Sequence, residues 1–424
     1  MNSRILLLAA ILIQAATMSV SAQRDNRMME SGVTTVVGGK AHADSVEKAL
    51  KKNAPQAAGD NGLPRFALVG KDGKFYIGLG AQFLGEGVFT WGDNMPSPTL
   101  FTPSSLTPAT PGNGGNTQFG WQSSSVYINF VAMPGSRDQI GIFFKGNFMG
   151  NNNSFSCFHF YAKYRGLTAG YTYSLFSDGA AQPMTLDFEG PNGYPSITLF
   201  TAYWQQDFTR HLSGAIGIDA PSASMTAGTT TRQINQRIPT VPLYLQYAWN
   251  DGSAHIRLSG LVRPLQYRDL KAESNKTMVG GGIQLSGMTN VVGGLGVNFN
   301  ATCGTGIGTY LQDDNGLGMD AVESSTPGKM VMVKTLGLTG GLSYAFSSTV
   351  SSNLIYSHLL NSCHDYGAVA DDQYRYGDYV AANVVWNISK FVSAGIEYDY
   401  GRCKDFDGAS LHANRLQCQL AVTF

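Results

Sequence analysis

Apolar and polar residues alternate with period two along most of the chain. In the last ten residues Leu416, Cys418, Leu420, Val422 and Phe424 carry one face, and Arg415, Gln417, Gln419, Ala421 and Thr423 carry the other. Such a segment is a strand that is oily on one side only. Runs of this kind, bounded by Gly, Pro, Asn, Asp or Ser, occur at 74–83, 123–132, 139–148, 155–164, 167–173, 196–205, 211–218 and 241–249. They continue at 255–262, 277–286, 291–299, 331–346, 349–358, 378–386, 391–400 and 411–424, making sixteen in all. Most are close to the ~9–11 residues that a tilted strand needs to cross a bilayer.

The connectors separate two architectures. Short links ("MPGSRD", "RG", "QDFTR", "NDGSA", "GMTN", "SS", "NISK") recur at every second position. Between them lie mostly longer segments, 84–122, 149–154, 174–195, 219–240, 263–276, 300–330, 359–377 and 401–410. Strict alternation collects the tight turns at one end and the loops at the other. A Greek-key sandwich crosses over and does not segregate its loops in this way. The expected fold is therefore all-β: a transmembrane, antiparallel, up-and-down β-barrel of about 16 strands, with short periplasmic turns and long extracellular loops. Tyr164, Phe208, Trp249, Phe346, Trp386, Phe391 and Phe424 lie beside short links, where an interfacial aromatic girdle belongs. The final run is expected to pair with the first near Phe75–Phe83 and to turn its ladder toward lipid.

Composition agrees with this picture. Charged residues are 14% of the chain, against ~25% in ordinary soluble domains. Mean hydropathy is only −0.09, because oily residues alternate with polar ones. Net charge is zero and there is no basic tract, so nucleic acid is not an implied partner. Residues 1–22 read as a signal peptide, with Arg4, an apolar stretch from Ile5 to about Ala16, and small residues Val20 and Ala22 before the cut. Residues 23–73 are polar and read as a periplasmic arm or linker, with a plug entering the lumen as the alternative. They hold one helical stretch, Ala43–Lys52, with an i,i+4 pair of Glu47 and Lys51. The barrel occupies 74–424. Among five cysteines, Cys157 and Cys418 fall in strand patterns, while Cys363 and Cys403 fall in neighbouring outer loops where a bridge is conceivable.

Strand charges belong inside, because a Lys or Arg facing mid-bilayer lipid costs ~2–4 kcal/mol. The expected pore-lining set is Lys145, Lys163, Arg257, Arg263 and Arg415, with Glu397 and Asp399 opposing them. Ile140, Ile142 and Phe144 beside Lys145, Phe158 and Phe160 beside Lys163, and Ile256 and Leu258 beside Arg257 are the outward alternates. An excess of basic groups in a narrow low-dielectric passage favours small anions. Sixteen strands leave an aqueous channel, so a loop is expected to narrow it. The candidate is 174–195, offering Asp178, Asp187 and Glu189. Seven scattered histidines give no catalytic signature, and no metal or cofactor set is evident. A barrel transporting apolar solutes past an N-terminal hatch is the alternative, and a soluble adhesive β-protein a further one.

The block "AGYTYSLFSDGAAQPMTLDFEGPNG" (Ala169–Gly193) resembles the loop region of DcaP-type trimeric outer-membrane porins. Gly170, Ser174, Phe176, Asp178, Pro183, Thr185, Leu186, Asp187, Phe188, Glu189, Gly190 and Pro191 carry the likeness, while Tyr171 and Tyr173 stand where the family shows Gln and Trp. The preceding "FHFYAKYRGLTAG" is similar to a family strand with inward basic residues, implying that Lys163 and Arg165 face the pore. The resemblance implies a homotrimeric channel in the bacterial outer membrane for small organic solutes, often anions such as small carboxylates. Contact with outer-membrane lipid and lipopolysaccharide is then expected. Phe424 as an aromatic last residue resembles the signal by which the barrel-assembly machinery recognises such chains.

Overall fold

The computed structural model describes residues 35–37, 43–55, 66–112, 115–364 and 373–424. The expected signal peptide lies outside these residues. Sixteen antiparallel strands close into one barrel. In chain order they are β1 (Phe75–Gly92), β2 (Ser125–Ala132), β3 (Ile140–Asn147), β4 (Ser156–Tyr164), β5 (Leu167–Tyr173), β6 (Thr198–Asp207), β7 (Leu212–Asp219) and β8 (Val241–Trp249). They continue as β9 (Ala254–Asp269), β10 (Ser274–Val292), β11 (Leu295–Thr305), β12 (Lys334–Ala345), β13 (Val350–Ser362), β14 (Tyr374–Asn387), β15 (Val392–Asp405) and β16 (Ser410–Thr423). Each pairs with its successor, and β16 returns to β1 from Ala413 opposite Gly92 to Thr423 opposite Gln82. Closure leaves no edge, as a sheet in hydrocarbon requires.

The pleat sorts the side chains. Across β8, β9 and β10, Leu245, Leu258 and Leu285 form one lateral row, each 42–54% exposed on the outer wall. The next row, Gln246, Arg257 and Ser286, faces in, with Arg257 and Ser286 buried. The turn-side aromatics Tyr164, Phe208, Phe346, Trp386, Phe391 and Phe424 are all exposed, as an interfacial belt requires.

Several boundaries differ from the sequence reading. β9 and β10 keep their alternation past 263–276 and leave only 270–273 as a turn. The link between β10 and β11 is not "GMTN" but Gly293–Gly294, whose φ values of 57° and 89° suit a tight two-residue hairpin. β15 likewise runs to Asp405, so the expected loop 401–410 shrinks to 406–409. A register shift between Lys145 and Gly146 turns Phe158 inward, where its ring packs on Phe188 and Tyr173, so it is not an outward alternate. No disulfide joins Cys363 and Cys403; Cys403 is on β15 and buried, not in a loop. Cys157 and Cys418 are exposed.

The N-terminal segment adds to the turn end of the barrel. Phe66–Val69 pairs antiparallel with the start of β1, Phe66 opposite Leu79 and Val69 opposite Tyr76. It occupies the edge of β1 beyond Phe424, which itself exchanges backbone hydrogen bonds with Ala81 at 2.7 and 2.9 Å. Thr35–Val37 pairs parallel with Phe66–Leu68. Helix α1 (Ala43–Asn53) places Val46, Ala49 and Leu50 in one cluster with Ala67, Val69, Tyr76 and Val131. Tyr76 and Val131 share the inward faces of β1 and β2 with Asn129 and Gln82, so α1 lies against the inner wall.

Replacing Leu258 by Arg is expected to destabilise the barrel by ~2–4 kcal/mol. Reversible urea unfolding in lipid vesicles measures this, with Ser343→Arg on the inner wall expected to cost far less.

Candidate functional site: the loop-filled lumen

Three long loops turn into the barrel and meet there, and segment 220–240 joins them at Arg263 and Asp320. Segment 174–197 is held on both sides. At one wall Asp178, fully buried, accepts from Ser286 Oγ at 2.6 Å and lies 2.8 Å from His255 Nε2. Arg257 Nη1 is 3.7 Å from its other oxygen. At the opposite wall Glu397 accepts the backbone N–H groups of Leu186 and Asp187 at 2.8 and 2.7 Å. Between these anchors Asn298 donates to Ala181 O, Asn383 to Met184 O and Gln417 to Leu186 O. Burial pulls the Asp178 carboxyl upward, but the Arg257 charge and the bonds from His255 and Ser286 outweigh it and hold it below the usual carboxylate range.

Each inward arginine of the expected set engages backbone carbonyls of a different loop. Arg257, stacked over Tyr244, donates to Ser177 O in segment 174–197. Arg263 donates to Gly306 O at 2.7 Å and to Asp320 at 2.5 Å, both in 306–333, and to Ser222 O in 220–240. Arg415 donates to Ser97 O and Leu100 O in 93–112. Arg263 and Arg415 are fully buried. A guanidinium suits this work because its fork of fixed N–H groups reaches two carbonyls at once.

The loops also bind one another. Asp187 accepts from Phe101 N at 2.9 Å and from Gly190 N at 3.0 Å, and Tyr379 donates to it from β14. Thr102 donates to Glu189, and Gln312 to the Glu189 carbonyl. Asp313 accepts from Tyr374 at 3.0 Å and Ser104 N at 3.2 Å. Burial raises Asp187 to about 6 against the pull of Arg415, and raises Asp313 to about 7. Glu189 is raised by burial first and by Asp313 second. Phe101, Phe176, Ile307, Tyr310, Leu311 and Tyr379 form an apolar cluster under these contacts.

The acidic residues therefore do not oppose the cations across an open gap. Asp178 lies 3.7 Å from Arg257 on the same wall, and Glu189 neighbours another carboxylate. Asp399 lies beside Arg415 in the β15–β16 register. Lys145 is buried, 5.9 Å over the Phe158 ring. Lys163 lies 5.2 Å over Tyr161 and donates to Lys52 O at 3.3 Å. Arg165 is not on a strand: it occupies the β4–β5 turn with φ 46° and bonds Asp138 on the exposed rim, so its expected pore-facing place is corrected. Its ion pair raises Arg165 and lowers Asp138. Toward the turns, the inward positions that keep some exposure include the uncharged Gln82, Gln246, Asn298, Ser343 and Gln419 and the charged Lys163 and Asp207.

Asp178, His255 and Ser286 bring together the residue types of a hydrolytic triad, in the wrong order. The hydroxyl and the imidazole both bond the carboxylate, so the histidine is not set to take the serine proton. Two further inward loops were not read from the sequence. "LFTPSSL" (100–106) and "YLQDDNGLGMDAV" (310–322) carry apolar residues inside loop-length segments, and that was the available signal.

A closed sixteen-stranded barrel with an oily outer belt and loops folded into its lumen has the architecture of the outer-membrane porin fold. Among solved structures, the outer-membrane channel DcaP of Acinetobacter baumannii superposes with a TM-score of 0.72, at 16% identity, over 82% of this chain and 97% of that one. The anion-selective porin from Comamonas acidovorans gives 0.52 at 11% identity, over 82% and 100%. Salmonella typhi OmpF, in complex with daunomycin, gives 0.52 at 12%, over 83% and 98%. At these identities the likeness is one of fold. No family model matches the sequence, and no curated protein matches it.

Arg263→Met would leave Asp320 charged and buried beside an apolar chain, a loss of about 3–5 kcal/mol. Trypsin is then expected to cut at Lys329 in folded protein, and Arg263→Met with Asp320→Asn to recover part of the protection. Because burial raises Asp313 and Asp187 above their unfolded values, their packing is fully stable below about pH 4. It weakens as pH rises to about 7 and levels off above that. Thermal unfolding in detergent should show this fall, and Asp313→Asn should flatten it.

Proposed function

We propose that the protein is a passive diffusion channel of the outer membrane for small hydrophilic solutes. The observation that carries this reading is the division of labour inside the barrel: the inward arginines fix the loops, while amides, hydroxyls and Lys163 line the turn-side lumen. Water and small polar solutes can exchange hydrogen bonds with such a lining without being trapped by it.

A mild preference for anions such as small carboxylates is part of the proposal. Its support is Lys163, whose contacts are a ring and a carbonyl and which pairs with no carboxylate among the described residues, together with Lys145. Arg257, Arg263 and Arg415 contribute field but not open binding sites, since each is occupied by a loop. A homotrimer, as in the DcaP-type resemblance, belongs to the same reading, as do surrounding lipopolysaccharide and insertion by the barrel-assembly machinery.

Purified protein in planar bilayers is expected to give stepwise conductance, with a reversal potential under a salt gradient on the anion side. Lys145→Gln with Lys163→Gln should shift it toward cations. Silence would reject the channel; steps with cation preference would reject the anion preference alone.

A further inference from the structure

We propose that helix α1 is a built-in second constriction, seated inside the barrel at the periplasmic mouth, where it offers a lysine-rich face to passing solutes. The inference rests on the channel reading and adds to it a specificity-determining element outside the extracellular loops.

The wall is shaped to receive this helix. The last carbonyls of a helix have no partners within it and need donors from elsewhere. Here the barrel supplies them. Asn129 Nδ2 donates to Leu50 O at 2.9 Å, Tyr161 OH to Asn53 O at 2.7 Å, and Lys163 Nζ to Lys52 O at 3.3 Å. In return Asn53 donates to Asn129 Oδ1 at 2.7 Å, to Ile142 O at 3.2 Å and to Phe130 O at 3.3 Å. Asn53 is 2% exposed. The seat also depends on Gly141 of β3: a Cβ there would fall 1.9 Å from Asn53 Oδ1. Next to this seat Ala54 joins Tyr127, Phe143 and Tyr161 in a cluster. Wall side chains from β2 and β4 thus cap the helix, and a glycine in β3 makes room for it.

The two faces of α1 then follow from helical spacing. Val46, Ala49, Leu50 and Asn53 are buried against the wall, and Asp44, Ser45, Lys48, Lys51 and Lys52 are exposed. The exposed side carries three lysines against Asp44, with Glu47 half-buried one turn before Lys51. Since the apolar face is turned to protein, the lumen meets charge. That disfavours an apolar hatch and favours a filter for anions, close to Lys163. Phe66–Val69, paired to β1 and following the helix after twelve intervening residues, ties the segment to the barrel from its other side.

Two variants and one cross-link test this. Charge reversal at Lys48→Glu, Lys51→Glu and Lys52→Glu is expected to move the reversal potential toward cations. Deleting residues 43–55 should raise single-channel conductance at least about 1.5-fold, because a helix ~10 Å across then leaves the passage. Conducting channels unchanged in both measures would overturn the inference while leaving the channel reading intact. The position of the helix is checked without conductance by Asn53→Cys with Asn129→Cys, expected to form a disulfide found by peptide mass spectrometry of the folded protein. If the cysteines stay apart, the seat is wrong. If wild type is silent in bilayers although the cross-link forms, the channel reading fails and the filter role with it.

Discussion

In hydrocarbon no water is available to a backbone N–H or C=O, so every such group on a spanning strand must find its partner in the protein. The rest of the molecule follows from that demand. It forces sixteen strands into a ring, commits one side of each to lipid, and leaves the other as the only place for charge. It also explains the role of Phe66–Val69. β1 is longer than its partner β16, and the upstream strand covers the stretch of edge that β16 does not reach.

The interior shows how charge can be structural without being exposed. Three arginines project inward from the walls and each grips carbonyls of a different loop. Removing two charges from water is costly unless geometry and further hydrogen bonds compensate, and the carbonyl-rich loops provide that compensation. The loops in turn bury carboxylates against each other, at Asp187, Glu189 and Asp313. The inward arginines are thereby committed to loop carbonyls and are not left open to the lumen.

The barrel was legible because its signal is repeated and local: period two in each strand, and short links at every second connection. The inward placement of Arg257, Arg263 and Arg415 followed from the same alternation. What the sequence concealed depends on contacts between distant segments. Nothing near Arg415 says that it will hold Ser97 and Leu100. Nothing near Asn129 or Lys163 says that they will cap a helix from residues 43–53. Weak patterning misplaced the β10–β11 turn, although the glycine pair at 293–294 was there to be read. Phe158 was assigned to the wrong face because a bulge breaks the period, and Arg165 because the strand ends one residue before it.

The ring is zipped from neighbouring hairpins except at one seam, where Gln82 meets Thr423 across 341 residues of chain. Most pairings can form as the chain is threaded forward, with little entropy lost per step, but the seam must wait for both ends. Until then β1 and β16 each present an open ladder. Premature association of those two edges with other chains is the characteristic hazard of this architecture during biogenesis. The strand at residues 66–69 pairs with β1 close to it in the chain and covers Tyr76–Leu79, a stretch of that edge which the last strand does not reach.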